Sequence, residues 1–158
     1  MLVESKPRFL ILVVEDSDED YEALHRCFRH LFDRIRLERC ETGKQALEYL
    51  DRCIEATENH QRRSLPSLIL LDLNLPGIDG RGVLHRIKQN PQLKQIPTVI
   101  LTTSNNPKDI EDCYQLGGNS YLLKAMEFKQ FKKTIQVLID YWLDTVILPP
   151  RGLDQPRS

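Results

Sequence analysis

Long apolar runs are missing from this sequence, and so is an excess of charge of one sign. No apolar stretch reaches the roughly 20 residues that a membrane-spanning helix needs. The short apolar stretch near the amino terminus ends in acids and lacks the basic start and small-residue cleavage site of a signal peptide. A formal net charge of −1 gives no broad basic field that would attract nucleic acid or anionic lipid. Neither partner is expected, and the predicted location is the cytoplasm.

Cysteines are few and scattered along the chain. The four cysteines show no CxxC spacing of a zinc or redox site, so we predict reduced side chains that serve in packing. Internal repeats and low-complexity segments are also lacking. At 158 residues the chain fits one domain of ordinary size. We expect this domain over residues 8–143 and a carboxyl-terminal extension over 144–158, first apolar and then frayed.

Five short apolar segments alternate with amphipathic ones, which is typical of βα units in a parallel sheet. Three are nearly all apolar, as in strands covered on both faces, whereas the second alternates and is expected at a sheet edge. The pattern predicts a flavodoxin-like, doubly wound (βα)5 three-layer sandwich with parallel strand order 2-1-3-4-5. The predicted strands are 9–14, 35–39, 67–71, 97–101 and 119–123, and the predicted helices are about 18–32, 43–58, 80–89, 107–116 and 127–143.

Polar side chains follow most of the predicted strands. Asp16 follows the first strand, Asp72 the third and Lys124 the fifth. Ligands bind at the carboxyl ends of strands in such a sheet, and the first and third strands are neighbours where the strand order reverses. Asp16 and Asp72 should therefore lie roughly 5 Å apart, with a cation between them. Oxygen ligands without a nearby histidine or cysteine favour Mg²⁺.

A carboxylate at this edge could accept a phosphoryl group. Asp72 could attack a phosphoryl donor and form an aspartyl phosphate if charge on the phosphoryl oxygens is neutralised during transfer. Mg²⁺ and Lys124 would supply positive charge, and the Thr102 hydroxyl could bind a phosphoryl oxygen and sense its presence. Each residue alone has an ordinary structural explanation, since an aspartate after a strand is usually a cap or turn residue. Their placement together favours the functional interpretation.

Four short segments resemble the signature of two-component receiver domains: VVEDS, LLDLNLPGIDG, LTTS and SYLLK. The resemblance extends over residues 8–143, which would form a receiver, or response regulatory, domain. It implies a phosphoacceptor at Asp72 and an acidic pair, Glu15 and Asp16, that binds Mg²⁺ together with it. The main-chain carbonyl of Asn74 would complete the metal site.

The same resemblance implies roles for three further residues. Thr102 and Lys124 match the hydroxyl and the lysine of the family, and Tyr121 matches an aromatic rotamer switch on the fifth strand. A histidine kinase is the expected phosphoryl donor. The long second helix and the closing YWLDTVILP most resemble regulators paired with cyanobacterial phytochrome kinases, so a bacteriophytochrome-type kinase is expected. No output domain is recognised, and the signal should leave by protein contact.

Two positions depart from the family pattern. Ala125 stands where receivers usually have a proline joined to the lysine by a cis bond, which before alanine costs ~2.5–4 kcal/mol. Without this proline, the family pattern determines the position of Lys124 less closely. Thr103 replaces a smaller residue, and its bulk would slow the access of water and favour a long-lived phosphorylated state.

Two rival functions remain open from the sequence. A haloacid-dehalogenase-like phosphatase needs a second aspartate two residues after the first, and here that residue is Asn74, which cannot shuttle a proton. A pseudo-receiver that binds partners without being phosphorylated is supported by Ala125 alone. Asp18 and Asp20 are interpreted as first-turn acids that complement a helix dipole, not as metal ligands.

The carboxyl-terminal region carries more apolar residues than one helix face can bury. A stripe at three- and four-residue spacing is predicted to face the core: Phe128, Phe131, Ile135, Leu138 and Trp142. The apolar residues left over are Ile139, Tyr141, Val146, Ile147 and Leu148. An exposed apolar patch usually marks a contact, so we predict a homodimer whose interface includes Tyr141, Trp142, Val146, Ile147 and Leu148. The alternative is that TVILPP folds back over its own domain.

Overall fold

A computed structural model describes residues 8–60 and 65–150. In these two ranges, five parallel strands form one sheet of order β2-β1-β3-β4-β5, flanked by five α-helices. The predicted flavodoxin-like sandwich is confirmed, and so is the edge position of the second strand. The elements are β1 (Phe9–Val14), α1 (Asp18–Phe28), β2 (Ile35–Cys40), α2 (Gly43–Glu58), β3 (Leu68–Leu71), α3 (Gly80–Gln89), β4 (Thr98–Thr102), α4 (Pro107–Gln115), β5 (Ser120–Leu123) and α5 (Phe128–Trp142).

The first helix is shorter than predicted. It ends at Phe28 instead of residue 32 and continues as a 3₁₀ turn, Arg29–Leu31. The tighter turn directs Leu31 into the core, and the N–H of Arg34 then donates to the carbonyl of Leu31 at 2.8 Å. The chain thereby reverses toward β2. The other predicted boundaries agree with the structure to within one residue.

Strand residues alternate between two hydrophobic layers. In β1, Leu12 and Val14 pack with α2 and α3, whereas Ile11 and Val13 pack with α1 and α5. Because helices cover both faces, the central strands need apolar residues at every position, which explains their continuous apolar runs. The cysteines are free and buried, as predicted: Cys27, Cys40, Cys53 and Cys113. No helix in the described ranges is long and apolar enough to cross a bilayer.

Helix α5 buries a different set of residues from the predicted stripe. Ile139, predicted to be left over at the surface, is only 1% exposed. Phe128, predicted in the core, is 37% exposed, and its ring centroid lies 4.6 Å from the guanidinium carbon of Arg26. The physical reason is that α5 packs against α1 as well as the sheet, so its buried arc widens to include Ile139. Phe128, as the first residue of the helix, lies at the rim of this contact.

The segment after α5 is partly packed against its own domain. Asp144 pairs with Arg34 at 2.6 Å, and the side chains of Val146 and Leu148 are half-buried. Ile147, between them, is 98% exposed. The segment therefore buries part of its apolar surface and leaves Ile147 in solvent. The predicted fraying concerns residues 151–158, which lie outside the described ranges.

Two glycines of α3 differ in the space around them. A Cβ at Gly80 would lie 2.2 Å from the carbonyl oxygen of Asp72 and 2.6 Å from the Cα of Leu73, both backbone atoms. A Cβ at Gly82 would lie 2.9 Å from Cγ2 of Ile78, the end of a side chain that can move. Gly80 is therefore needed where α3 closely approaches the loop after Asp72.

We expect Gly80→Ala to lower the free energy of unfolding by about 2–3 kcal/mol, because backbone must shift to admit the methyl group. Gly82→Ala, a matched change in the same helix, should leave stability within about 0.5 kcal/mol, since the helix propensity of alanine offsets a small side-chain adjustment. Urea denaturation of both variants checks this. Equal losses would contradict the assigned close approach.

Candidate functional site

Three carboxylates meet where β1 and β3 end. Glu15 and Asp16 follow β1, Asp72 follows β3, and oxygen atoms of all three lie within 4.8 Å of one another. Sheet hydrogen bonding places them, because the N–H of Asp72 donates to the carbonyl of Val14 at 3.1 Å. Glu15 and Asp72 are buried, whereas Asp16 is exposed. The cluster offers oxygen ligands to a divalent cation and opens to solvent beside Asp16.

Lys124 reaches the same cluster from the end of β5. Its Nζ donates to Oε2 of Glu15 at 2.8 Å and to Oδ2 of Asp72 and Oδ2 of Asp20, both at 2.9 Å. The lysine side chain is only 7% exposed. The peptide bond between Lys124 and Ala125 is trans, and the lysine still lies in the site. The structure thus brings together Glu15, Asp16, Asp72 and Lys124, as the sequence pattern predicts.

Asp20 lies in the site although its position in the first turn of α1 predicts only a dipole-complementing acid. The Ser17 hydroxyl caps this helix and accepts from the N–H of Asp20 at 3.3 Å. The first turn then places the Asp20 carboxylate over the strand ends, where it meets Lys124. Its contact is with a lysine 104 residues away, so no local sequence signal identifies it.

Burial and crowding set the pKa values of the cluster. Desolvation raises the pKa of the Glu15 carboxyl, Lys124 lowers it and the charge of Asp72 raises it, giving about 7 against the ordinary 4.5. Burial acts to lower the pKa of Lys124, but its hydrogen bonds to Glu15 and Asp72 raise that pKa above the ordinary value. Lys124 is therefore a cation at neutral pH. One ammonium does not balance the surrounding carboxylates, so the donor set fits a further cation.

The raised pKa of Glu15 should make the stability of the metal-free protein depend on pH. Because its folded pKa lies above its unfolded value, the folded state holds the proton more tightly between pH 7 and 4.5. The contribution of Glu15 to the free energy of unfolding therefore rises as the pH falls through that window, and this contribution is lowest above pH 7. Glu15→Gln abolishes the titration.

We expect the wild type to gain about 2 kcal/mol relative to Glu15→Gln between about pH 7.5 and about pH 5.5, at about 1.36 kcal/mol per pKa unit. Urea unfolding of both proteins in a chelating buffer measures the difference. A difference that stays constant, or that favours the variant at the lower pH, would contradict the raised pKa.

Thr102 and Tyr121 lie on neighbouring strands and share a partner in the loop after β4. The Thr102 hydroxyl accepts from the N–H of Ser104 at 3.4 Å, and the Tyr121 hydroxyl donates to the carbonyl of Ser104 at 2.8 Å. Thr102 is fully buried, and Tyr121 is half-buried against the layer beneath α2 and α3. A displacement of Thr102 would therefore reach Tyr121 through one residue.

Ser104 also belongs to a polar network that no sequence motif indicates. Its hydroxyl donates to Oδ2 of Asp109 at 2.6 Å, and Oδ1 of Asp109 pairs with Nη1 of Arg81 at 2.7 Å. Arg81 also contacts Asp79, the residue that caps α3, at 3.4 Å. The network joins the loop after Thr102 to the start of α3. It depends on the adjacency of α3 and α4, which local sequence does not encode.

Arg39, at the end of β2, holds the acidic pair from the other side. Its Nε donates to the carbonyl of Glu15 at 3.1 Å, and its guanidinium carbon lies 4.7 Å from the ring centroid of Tyr21. Its Nη1 pairs with Asp18 at 2.8 Å, so Asp18 contacts this arginine. The position of Asp18 agrees with its omission from the predicted metal ligands.

Asn74 and Thr103 are both exposed. The N–H of Asn74 donates to Oδ1 of Asp72 at 3.2 Å, a contact that holds the loop after Asp72. Thr103 directly follows the buried Thr102, the last residue of β4, and is exposed to solvent.

The sheet order and this arrangement of acids, hydroxyl and lysine are those of a receiver domain. The family profile described as the response regulator receiver domain matches residues 11–136. The chain belongs to this family and is a response regulator of two-component signalling, as its four signature segments imply. The match gives no support to the rival haloacid-dehalogenase-like phosphatase.

Several relatives resemble the chain over nearly its whole length. Response regulator Rcp1 from Synechocystis sp. is 44% identical over 146 residues, which cover 92% of this chain and 97% of Rcp1. The crystal structure of its Mn²⁺-bound form matches with a TM-score of 0.80 at 41% identity, over 90% of this chain and 99% of that chain.

Two further relatives are a cyanobacterial phytochrome response regulator and a probable regulator of methanogenesis. The crystal structure of the phosphorylated cyanobacterial phytochrome response regulator RcpA matches with a TM-score of 0.79 at 33% identity, over 90% of this chain and 99% of that one. The probable methanogenesis regulatory protein FilR2 of Methanothrix harundinacea is 39% identical over 142 residues, 90% of this chain and 88% of FilR2. The predicted resemblance to phytochrome response regulators is confirmed.

Proposed function

We propose that this response regulator accepts a phosphoryl group on Asp72 and uses Mg²⁺ at the adjacent acidic cluster. The observation that carries the proposal is the contact of 2.9 Å between Nζ of Lys124 and Oδ2 of Asp72, inside a group of carboxylates that one lysine does not neutralise. Glu15, Asp16 and Asp72 would supply side-chain ligands, and the main-chain carbonyl of Asn74 would supply a fourth oxygen. Retention of all these groups argues against the pseudo-receiver.

The proposed step is a displacement at phosphorus. An oxygen of Asp72 bonds to phosphorus while the bond from phosphorus to the nitrogen of a kinase phosphohistidine breaks, and the imidazole leaves with the electron pair. Mg²⁺ supplies neutralising charge for the phosphoryl oxygens. Lys124 donates an N–H to one phosphoryl oxygen, and Thr102 donates its O–H to another. The regulator thereby stores the group as an acyl phosphate and turns over no substrate of its own.

We propose that the switch runs from Thr102 to Tyr121. Attraction of the Thr102 hydroxyl to a phosphoryl oxygen would pull on Ser104, whose carbonyl holds the Tyr121 hydroxyl at 2.8 Å. Tyr121 would then change its packing, and with it the surface of α4, β5 and α5. The bulk of Thr103 beside Thr102 would slow the access of water and lengthen the life of the phosphorylated state.

We expect acetyl phosphate with Mg²⁺, or a phosphorylated histidine kinase, to add one phosphoryl group per chain, and Asp72→Asn to abolish the addition. Asp16→Ala removes a metal ligand and leaves the nucleophile in place. The Mg²⁺ concentration for half-maximal labelling should therefore rise at least about tenfold. Glu19→Gln is the matched control, because Glu19 is exposed in the first turn of α1. Intact-mass measurement follows the label.

Three outcomes would contradict the assignment. Asp72→Asn labelled as fully as the wild type would exclude the nucleophile. Normal labelling of Asp16→Ala at low Mg²⁺ would exclude its place in the metal site. Steady hydrolysis of a generic phosphomonoester would restore the phosphatase alternative.

We infer that the phosphoryl donor is a histidine kinase of the phytochrome type. The support is the match to RcpA, a phytochrome response regulator, over 90% of this chain. Such kinases use ATP, and the four buried free thiols of this protein suit a reducing compartment, so we propose that it works in the cytoplasm. The downstream partner would be a protein that contacts the surface of α4, β5 and α5.

We also propose a homodimer through α5 and the segment after it. Exposed apolar side chains lie there, with Val137 66%, Tyr141 51% and Ile147 98% exposed. Tyr141 meets the half-buried Trp142 edge to face at 5.1 Å between ring centroids. The half-buried residues that would line the same contact are Val146 and Leu148. Apolar area of this kind is usually covered by a partner.

Light scattering at tens of micromolar should report a dimer for the full chain and a monomer for a chain truncated after Leu143. Ile147→Asp should weaken the dimer, because it places a charge in the contact. Ile78→Asp is the matched control, since Ile78 is 39% exposed beside α2 and α3, on the other side of the sheet from α5. A full-length protein that is monomeric with and without phosphorylation would contradict the proposal.

A further inference from the structure

The ammonium of Lys124 uses all of its N–H groups on carboxylates. A lysine ammonium has three donors, and here Glu15, Asp20 and Asp72 each accept one, at 2.8–2.9 Å. The three acceptors differ in exposure. The side chains of Glu15 and Asp72 are 6% and 7% exposed, whereas that of Asp20 is 44% exposed. Asp20 therefore closes the solvent side of the lysine contact.

The acceptors also differ in their relation to the metal cluster. That cluster consists of oxygen atoms from Glu15, Asp16 and Asp72. A cation bound there would share Glu15 and Asp72 with Lys124 and would repel the ammonium. The carboxylate of Asp20 lies outside the cluster, so it serves Lys124 alone. Its contact is the one that cation binding does not weaken.

The same contact survives addition of a phosphoryl group to Asp72. One N–H of Lys124 must then move from the Asp72 carboxylate to a phosphoryl oxygen, and Glu15 is engaged by the cation. The hydrogen bond to Asp20 does not have to break during this movement. This hydrogen bond keeps the ammonium in place while its other N–H groups change partners and bind the transferring group.

We propose that Asp20 is a positioning residue that holds Lys124 for phosphoryl transfer, acting through the lysine and not through the metal. The inference rests on the proposed transfer to Asp72. The first turn of α1 sets Asp20 apart from its acidic neighbours, because Asp18 pairs with Arg39 and Glu19 is exposed. A helix-dipole effect would be shared by all three acids, whereas positioning of Lys124 belongs to Asp20.

Labelling by acetyl phosphate separates the two roles. At saturating Mg²⁺, Asp20→Ala should slow labelling about tenfold, since one hydrogen bond to a charged group is lost. The Mg²⁺ concentration for half-maximal labelling should change less than about twofold, because no metal ligand is lost. Asp20→Asn keeps an acceptor oxygen and should recover to within about threefold of the wild-type rate. Glu19→Gln is the matched control and should label like the wild type.

A second measurement does not depend on phosphorylation. The buried ammonium of Lys124 should give a slowly exchanging proton–nitrogen NMR signal, identified by its loss in Lys124→Met. Asp20→Ala opens one N–H to water and should broaden or abolish that signal, while Glu19→Gln should keep it. If the wild type takes no label, the proposed function fails, and the NMR signal still tests the contact with Asp20.

Three results would overturn the inference. One is an Asp20→Ala variant that labels as fast as Glu19→Gln. Another is a loss that vanishes at saturating Mg²⁺, which would make Asp20 part of the metal site. The third is an ammonium signal of Lys124 that is unchanged in Asp20→Ala.

Discussion

One buried ammonium connects the acidic side chains at the carboxyl ends of the strands. Lys124, at the end of β5, hydrogen-bonds carboxylates that follow β1 and β3 and one in the first turn of α1. Burying Glu15 and Asp72 without a partner would be unfavourable, and the lysine offsets this while leaving negative charge in excess. Burial is the main reason that the pKa of Glu15 is raised, and the charge of Asp72 adds to it. The excess of negative charge is why the site suits a divalent cation. Charge balance at this edge is thus the constraint from which the proposed metal binding and phosphoryl acceptance would both follow.

The parallel sheet makes this constraint possible. With β1 and β3 adjacent, two acidic strand ends meet, and with β4 beside β5 the hydroxyl of Thr102 is close to the elements that carry Lys124 and Tyr121. Helix α3 approaches the loop after Asp72 so closely that only glycine fits at residue 80. Ser104 then contacts both Thr102 and Tyr121. The carboxyl end of β4 is thus connected to α4 and β5 by short, direct contacts.

Local sequence patterns were sufficient to predict the scaffold. Apolar runs located the strands, and amphipathic segments located the helices. Thr42 and Asn106 then cap α2 and α4, because their side chains accept from the first-turn N–H groups of these helices. Strand order then placed Asp16 near Asp72. Such predictions succeed because each depends on residues close in sequence or on the fixed geometry of a parallel sheet.

The features that the sequence did not predict are contacts between elements that are distant in sequence. Ile139 is buried and Phe128 exposed because α5 packs against α1 as well as the sheet, which helical periodicity alone does not reveal. The contact of Asp20 with Lys124 spans 104 residues, and the pairing of Arg81 with Asp109 spans 28. Their residue types are ordinary for exposed helix positions. Only the folded arrangement shows these contacts.

The central claim is that the stored phosphoryl group resides on one particular carboxylate of a crowded acidic cluster. Borohydride reduction tests it most directly, because it converts an aspartyl phosphate into homoserine, which peptide mass mapping then locates. We expect homoserine at residue 72 and aspartate still at residue 16 in protein phosphorylated in the presence of Mg²⁺. Homoserine at residue 16, or a label that persists with no homoserine at residue 72, would contradict it.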